Sequence, residues 1–254
     1  MTTVVILPGG FHPYHAGHYA LYQSAQRTFP DAEVYVAATN DTSERPFPFA
    51  IKEKLAQLAG VESGHFVQVK SPFRAEEITS RFNPEKDKLI FVRSEKDADK
   101  PPQAGGVKKN GELAYLQPLL GAKRLEPFGR HAYMAYLPTV EFGPGMTSAS
   151  EIRAEWPTLD DQGKLDRVHS LYPATQKNPK LAATVVKMLD TAISTEVQEG
   201  LEQIASMASA IPNFISRAIQ VGAREVRDTG KLAAILTKWV GYGQITPAES
   251  KFAK

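Results

Sequence analysis

The stretch Thr3-Val4-Val5-Ile6-Leu7-Pro8-Gly9-Gly10-Phe11-His12-Pro13-Tyr14-His15-Ala16-Gly17-His18 decides the fold. It opens on a β-branched apolar run that Pro8-Gly9-Gly10 ends, the pattern of a buried strand. From Gly17 to Thr28 the period changes, with Ala20, Leu21, Ser24 and Ala25 on one helical stripe and Pro30-Asp31 as the stop. Strand, glycine loop and helix therefore follow in immediate succession.

The same alternation continues outward. Strands are predicted at Glu33–Thr39, His65–Val69, Lys88–Val92 and Ala132–Leu137. Helices are predicted at Pro48–Gly60, with Ile51, Leu55, Leu58 and Ala59 apolar, and at Arg74–Phe82. Strands and helices alternating at this spacing imply right-handed βαβ units. The expected fold is a Rossmann-like α/β domain with a parallel sheet of about five strands. Ser94–Gly111, rich in charge, proline and glycine, reads as a mobile loop.

Composition changes near residue 173. All six histidines and 15 of the 18 prolines precede that point. Beyond it come amphipathic helical segments at 181–193, 196–210, 212–226 and 231–240, each needing a partner surface. We therefore expect an α/β domain over 1–173 and an all-helical extension over 174–254, with self-association through residues 181–240 as one use for it.

The 254 residues include no cysteine, which excludes disulfides, cysteine metal sites and a thiol nucleophile. The net charge of +2 is too small to argue for nucleic-acid binding. No apolar run approaches the ~20 residues that span a bilayer, and the N-terminus lacks the features of a signal peptide. The expectation is a cytoplasmic protein with no membrane partner.

Chemistry concentrates in Gly9–His18. Glycines let a backbone approach a ligand closely. A following helix start offers N–H groups and a partial positive charge to phosphate. His15 and His18, three apart, can face one point and stabilise charge developing on a phosphate. A histidine pair at a helix start can equally be solvated or capping, and two histidines are too few to hold zinc.

The segment matches every position of G-x-F-x-P-x-H-x-G-H and so resembles the nucleotidylyltransferase superfamily, which includes adenylyltransferases and cytidylyltransferases. The second signature of that family, I-S-S-T-x-x-R, is similar to Thr147-Ser148-Ala149-Ser150-Glu151-Ile152-Arg153. Ser148, Ser150 and Arg153 match, Ala149 replaces a hydroxyl and Thr147 an apolar residue. A plain capping box explains that segment equally well by itself.

The resemblance implies transfer of a nucleoside monophosphate from ATP, or CTP, to a phosphorylated small-molecule acceptor with release of pyrophosphate. It assigns His18 to the α-phosphate and His15 to the triphosphate. The backbone of Gly9, Gly10 and Phe11, with Gly17, goes to the nucleotide. Ser148, Ser150 and Arg153 go to the β- and γ-phosphates. Mg²⁺ is expected on the triphosphate, with no metal ligands from the protein. Arg45, Lys52, Arg93 and Asp97 sit where the family often contacts acceptor or phosphates, with Arg93 and Asp97 expected at the crevice. Residue by residue, Lys52 and Lys54 read better as a solvated helix face. Tyr14 fits either a base stack or the core, and His65, His131 and His169 read as structural. The competing expectation is a catalytically reduced module that binds or assembles through its helical extension.

Overall fold

The computed structural model describes residues 1–40, 47–122, 124–139 and 148–208, with residues 195–208 as backbone only. It contains six strands: β1 (Thr3–Gly9), β2 (Ala32–Ala38), β3 (Phe66–Gln68), β4 (Lys88–Ser94), β5 (Leu116–Pro118) and β6 (Ala132–Leu137). The helices are α1 (Ala16–Thr28), α2 (Phe49–Ala59), α3 (Glu76–Thr79), α4 (Ala149–Glu155), α5 (Asp161–Leu171) and α6 (Pro179–Ala208). The described chain forms two compact units, residues 1–152 with 159–186, and residues 153–158 with 187–208.

In the first unit all six strands are parallel, in the order β3-β2-β1-β4-β6-β5. This is the expected Rossmann-like α/β arrangement with one strand more. Leu116-Gln117-Pro118 pairs with the edge of β6. It escapes sequence reading because it is short and contains proline, which only an edge strand tolerates.

Both faces of the sheet are covered, which explains the unbroken apolar runs in place of alternation. On one face Val4, Ile6, Tyr35, Ala37, Leu89, Phe91 and Met134 pack with Ala75 and Ile78 from the α3 region. The intervening residues Val5, Leu7, Ile90 and Val92 are equally buried. They point to the opposite face by strand alternation, where α1 lies against β2, β4 and β6. Steps from β1 to β3 run one way, and the crossover through α3 returns to β4 on the other side of β1. The carboxyl ends of β1 and β4 thus flank a topological switch point, where open α/β sheets bind ligands.

Ser94–Gly111, expected as a mobile loop, carries local order. A 3₁₀ turn covers Glu95–Asp97, and Val107 bridges Leu113 in an antiparallel pair. α5 was not foreseen as a distinct helix; Asp160 caps it by accepting the Gly163 N–H at 2.8 Å. The expected break after Ile193 is absent and α6 runs unbroken, because Ser194-Thr195 interrupts the apolar stripe without a glycine or proline to stop the helix. The segments expected from Pro212 and Lys231 lie outside the described residues. Among the described residues no helix is long and apolar enough to cross a membrane.

In the second unit Trp156, buried to 2% exposure, donates from Nε1 to Asp190 Oδ1 at 2.9 Å. Leu189, Ala192 and Ile193 of α6 are buried in the same unit.

One long-range bond fixes the loop after β1. Tyr172, just past α5 and fully buried, donates its hydroxyl to the Tyr14 carbonyl at 2.7 Å. Burial pushes the Tyr172 phenol far above its ordinary pKa, so it stays a donor. Tyr172→Phe leaves that carbonyl buried and unsatisfied. The expected loss is about 1–3 kcal/mol of unfolding free energy, read as a lower urea midpoint; an unchanged midpoint would remove this bond from the account of the loop.

Candidate functional site

The site begins where β1 ends. Gly9 accommodates the Phe11 ring: an added Cβ would meet Phe11 Cζ at 2.7 Å. Phe11 itself has φ of +55°, a left-handed conformation that a bulky side chain adopts only under constraint. The constraint is an aromatic cluster. The Phe11 ring packs edge-on to His18 at 4.9 Å, and on Tyr14 and Phe66 at 5.4 and 5.8 Å. Tyr14 is fully buried, so it belongs to the core beneath the loop.

His15 is the N-cap of α1, and its Nδ1 accepts the Gly17 N–H at 3.1 Å. His18, at the third helical position, accepts the His15 N–H on its own Nδ1 at 3.3 Å. This is a capping box built from two imidazoles in place of a hydroxyl and a carboxylate. The rings stack at 3.7 Å with 29° between planes. Because both Nδ1 atoms accept, the neutral tautomer of each ring carries its proton on Nε2.

Electrostatics keeps them neutral. Burial, and then the Lys96 charge, push the His18 pKa down from 6.5 to about 3, against a smaller opposing effect of Asp97. The His15 pKa is lowered by burial, by His18 and by Lys96. The Lys96 charge, in the turn after β4, thus acts on both rings. Sequence reading placed it only in a charged loop; its one signal was position at the carboxyl end of the strand beside β1.

The remaining candidates divide. Asp97 lies in the same turn and is ion-paired to Lys100. Arg93 does not join the crevice. Its guanidinium stacks 5.6 Å over Phe73, on the α3 face of the sheet, and donates to the Lys100 carbonyl at 2.8 Å. It sits one residue out of phase with Ser94, and strand alternation turns it away.

Lys52 corrects the reading of a solvated face: it is fully buried, whereas Lys54 is exposed. The inward stripe of α2 is Lys52, Leu55, Ala56 and Ala59, about one residue out of phase with the expected stripe. Its Nζ lies 2.9 Å from His12 Nε2 and donates to the Thr39 carbonyl at 2.9 Å. His12 Nδ1 accepts the Phe47 N–H at 3.4 Å, and Asn40 Oδ1 accepts that of Phe49 at 2.7 Å. The start of α2 is thereby laced to the ends of β1 and β2. His12 occupies a variable position of the motif, so the sequence pattern does not single it out.

At the second motif Ser148 Oγ accepts the Glu151 N–H at 3.4 Å, and Glu151 accepts the Ser148 N–H at 2.8 Å. The Ser150 hydroxyl lies 3.3 Å from that of Ser148. Arg153 is half-buried and opens the second unit. Arg45 and Thr147 lie outside the described residues. His65 Nδ1 bonds the Val34 carbonyl at 2.8 Å and His169 Nδ1 bonds Thr175 Oγ1 at 3.1 Å, both structural.

Two depressed histidines make stability depend on pH. As pH falls below 6.5 the unfolded chain takes up these protons before the folded one, so stability is lost on acidification. The loss continues until the folded pKa is reached, about 3 for His18. The expected slope is about 1.4 kcal/mol per pH unit for each ring. Urea midpoints of His18→Asn, which keeps an acceptor in place of Nδ1, should fall less steeply between pH 6 and 4, about those limits. An identical slope would show that His18 titrates normally. No family model matches the chain, and no curated protein matches it either.

Proposed function

We propose that the protein is a nucleotidylyltransferase, moving a nucleoside monophosphate from a nucleoside triphosphate to a phosphorylated small molecule. The observation that carries this is the stacked, neutral His15–His18 pair, which caps α1 at the switch point. In the proposed reaction an acceptor phosphate oxygen attacks the α-phosphorus. The bond from that phosphorus to the oxygen bridging the β-phosphate breaks, and pyrophosphate leaves with the electron pair. The nucleophile is already anionic, so no general base is required. His18 stabilises charge growing on the α-phosphate, and His15 and Lys96 that on the departing phosphates. Holding the reactants in line supplies the rest of the acceleration.

Neutral donors suit this task. They bring hydrogen bonds without a second and third cation beside Lys96, so the empty crevice carries little self-repulsion. The groups at the crevice are donors and a cation, which suits a Mg²⁺ that arrives on triphosphate oxygens and supplies charge neutralisation there. ATP is the proposed donor on the family resemblance alone, and CTP is the alternative.

A second reading, a module that binds nucleotide without transferring it, is favoured by the closed Ser148–Glu151 capping box, which engages the second motif internally. Pyrophosphate release over a panel of triphosphates and phosphorylated acceptors separates the two readings. His18→Asn keeps the cap and removes the Nε2 donor. Its turnover should fall on the order of a hundred- to a thousandfold with the circular dichroism unchanged. Lys96→Gln should raise the KM for triphosphate more than it lowers kcat. Nucleotide binding without any release in the native protein would favour the second reading, and full turnover in His18→Asn would sink the first.

A further inference from the structure

The amino ends of the strands hold a second, independent feature. Lys88, the first residue of β4, is only 8% exposed. Its backbone N–H pairs with the Thr2 carbonyl at 2.9 Å. Its ammonium has no hydrogen-bond or ion-pair partner among the described residues. A side chain buried to this degree without a counter-charge is unfavourable unless its charged end meets something polar. What it meets is a cavity of about 450 Å³, lined also by Lys86, Arg124, Glu85, Glu126 and Pro127.

The carboxylates around this cavity are largely committed. Asp87, next to Lys88, accepts the Thr2 N–H at 2.7 Å and the Asn83 N–H at 2.8 Å, and these bonds hold its pKa below the ordinary value. Glu126 is ion-paired to Arg130 at 3.1 Å. Glu85 is the remaining acid on the lining, and it is exposed. Three cations thus face the space, with one carboxylate not otherwise bonded among the described residues.

We propose that this cavity is a binding site for a phosphate-bearing small anion. A buried-stem ammonium supplies one fixed positive point, and the Arg124 guanidinium at the rim supplies the planar fork that pairs with two phosphate oxygens. The volume is in the range of small-molecule sites. Seven-residue strands separate this edge from the carboxyl edge by about 20 Å, so the two sites do not share a ligand. The site stands without the transferase reading.

The test is an NMR titration of the full chain with orthophosphate, pyrophosphate and glycerol 3-phosphate in turn, at constant ionic strength. Expected are shifts at Lys86, Lys88 and Arg124 that persist in the His15→Asn/His18→Asn double variant. The three probes distinguish free oxyanion from phosphate ester by their dissociation constants. Lys88→Met should weaken binding roughly ten- to a hundredfold, the worth of one charge-assisted hydrogen bond. Arg124→Ala, at an exposed position where folding is not at stake, should weaken it in the same direction, and Glu85→Gln should strengthen it. Shifts confined to Gly9–His18, or affinities unmoved by Arg124→Ala and Lys88→Met, would overturn the proposal.

Discussion

Two backbone N–H groups at the start of α1 donate to imidazole nitrogens, and the chemistry available at the crevice depends on that choice of cap. Were the caps serine and glutamate, the helix start would be closed by a hydroxyl and a carboxylate. With His15 and His18 the Nδ1 atoms satisfy the backbone and leave the protons on Nε2. Capping and presentation are one arrangement, because a ring has two nitrogens pointing in different directions. Neutrality is built into the same arrangement. A proton on Nδ1 would face a backbone N–H, so the hydrogen bonds oppose protonation in the same sense as burial and Lys96.

Holding two rings parallel at 3.7 Å demands a rigid floor. Phe11 supplies it from a left-handed backbone position, with its ring against His18 on one side and over Gly9 on the other. Tyr14 and Phe66 close the cluster, and Tyr172 anchors it from the far end of the unit through the Tyr14 carbonyl. Much of the motif is therefore scaffolding. The glycine, the phenylalanine and the tyrosine set the positions of the two stacked rings.

The parallel sheet was legible because strands covered on both faces must be continuously apolar, and runs such as Val4–Leu7 and Leu89–Val92 have few other uses. The histidine pair was legible because glycines, helix start and spacing coincide in ten residues. What stayed hidden has a common physical origin in phase. Lys52 is polar at an inward position of α2, Arg93 is charged at a strand end where one residue decides the face, and Lys96 approaches His18 from a turn whose shape leaves no periodic trace. In each case a long side chain chose its surroundings through tertiary packing. β5 was hidden for a simpler reason, since an edge strand of three residues with a proline makes no pattern.

The two motifs end in helix starts of opposite electrostatic character. A helix start carries roughly half a positive charge, which a carboxylate in the first turn largely cancels. α1 has no acidic residue in its first turn, and its caps are neutral rings, so its field still reaches toward the crevice. α4 has Glu151 folded back on Ser148, the residue before its first turn, which neutralises its field and engages Ser148. A triphosphate oxygen reaching Ser148 would have to displace that carboxylate, exchanging a negative charge already in place for another. The net gain from such an exchange is small, because the helix start is stabilised by either anion. On the proposed function, affinity for the triphosphate should then rest more on α1 than on the second motif. That asymmetry follows from the single residue after Ser150, where a carboxylate able to reach back over one turn stands at the third helical position.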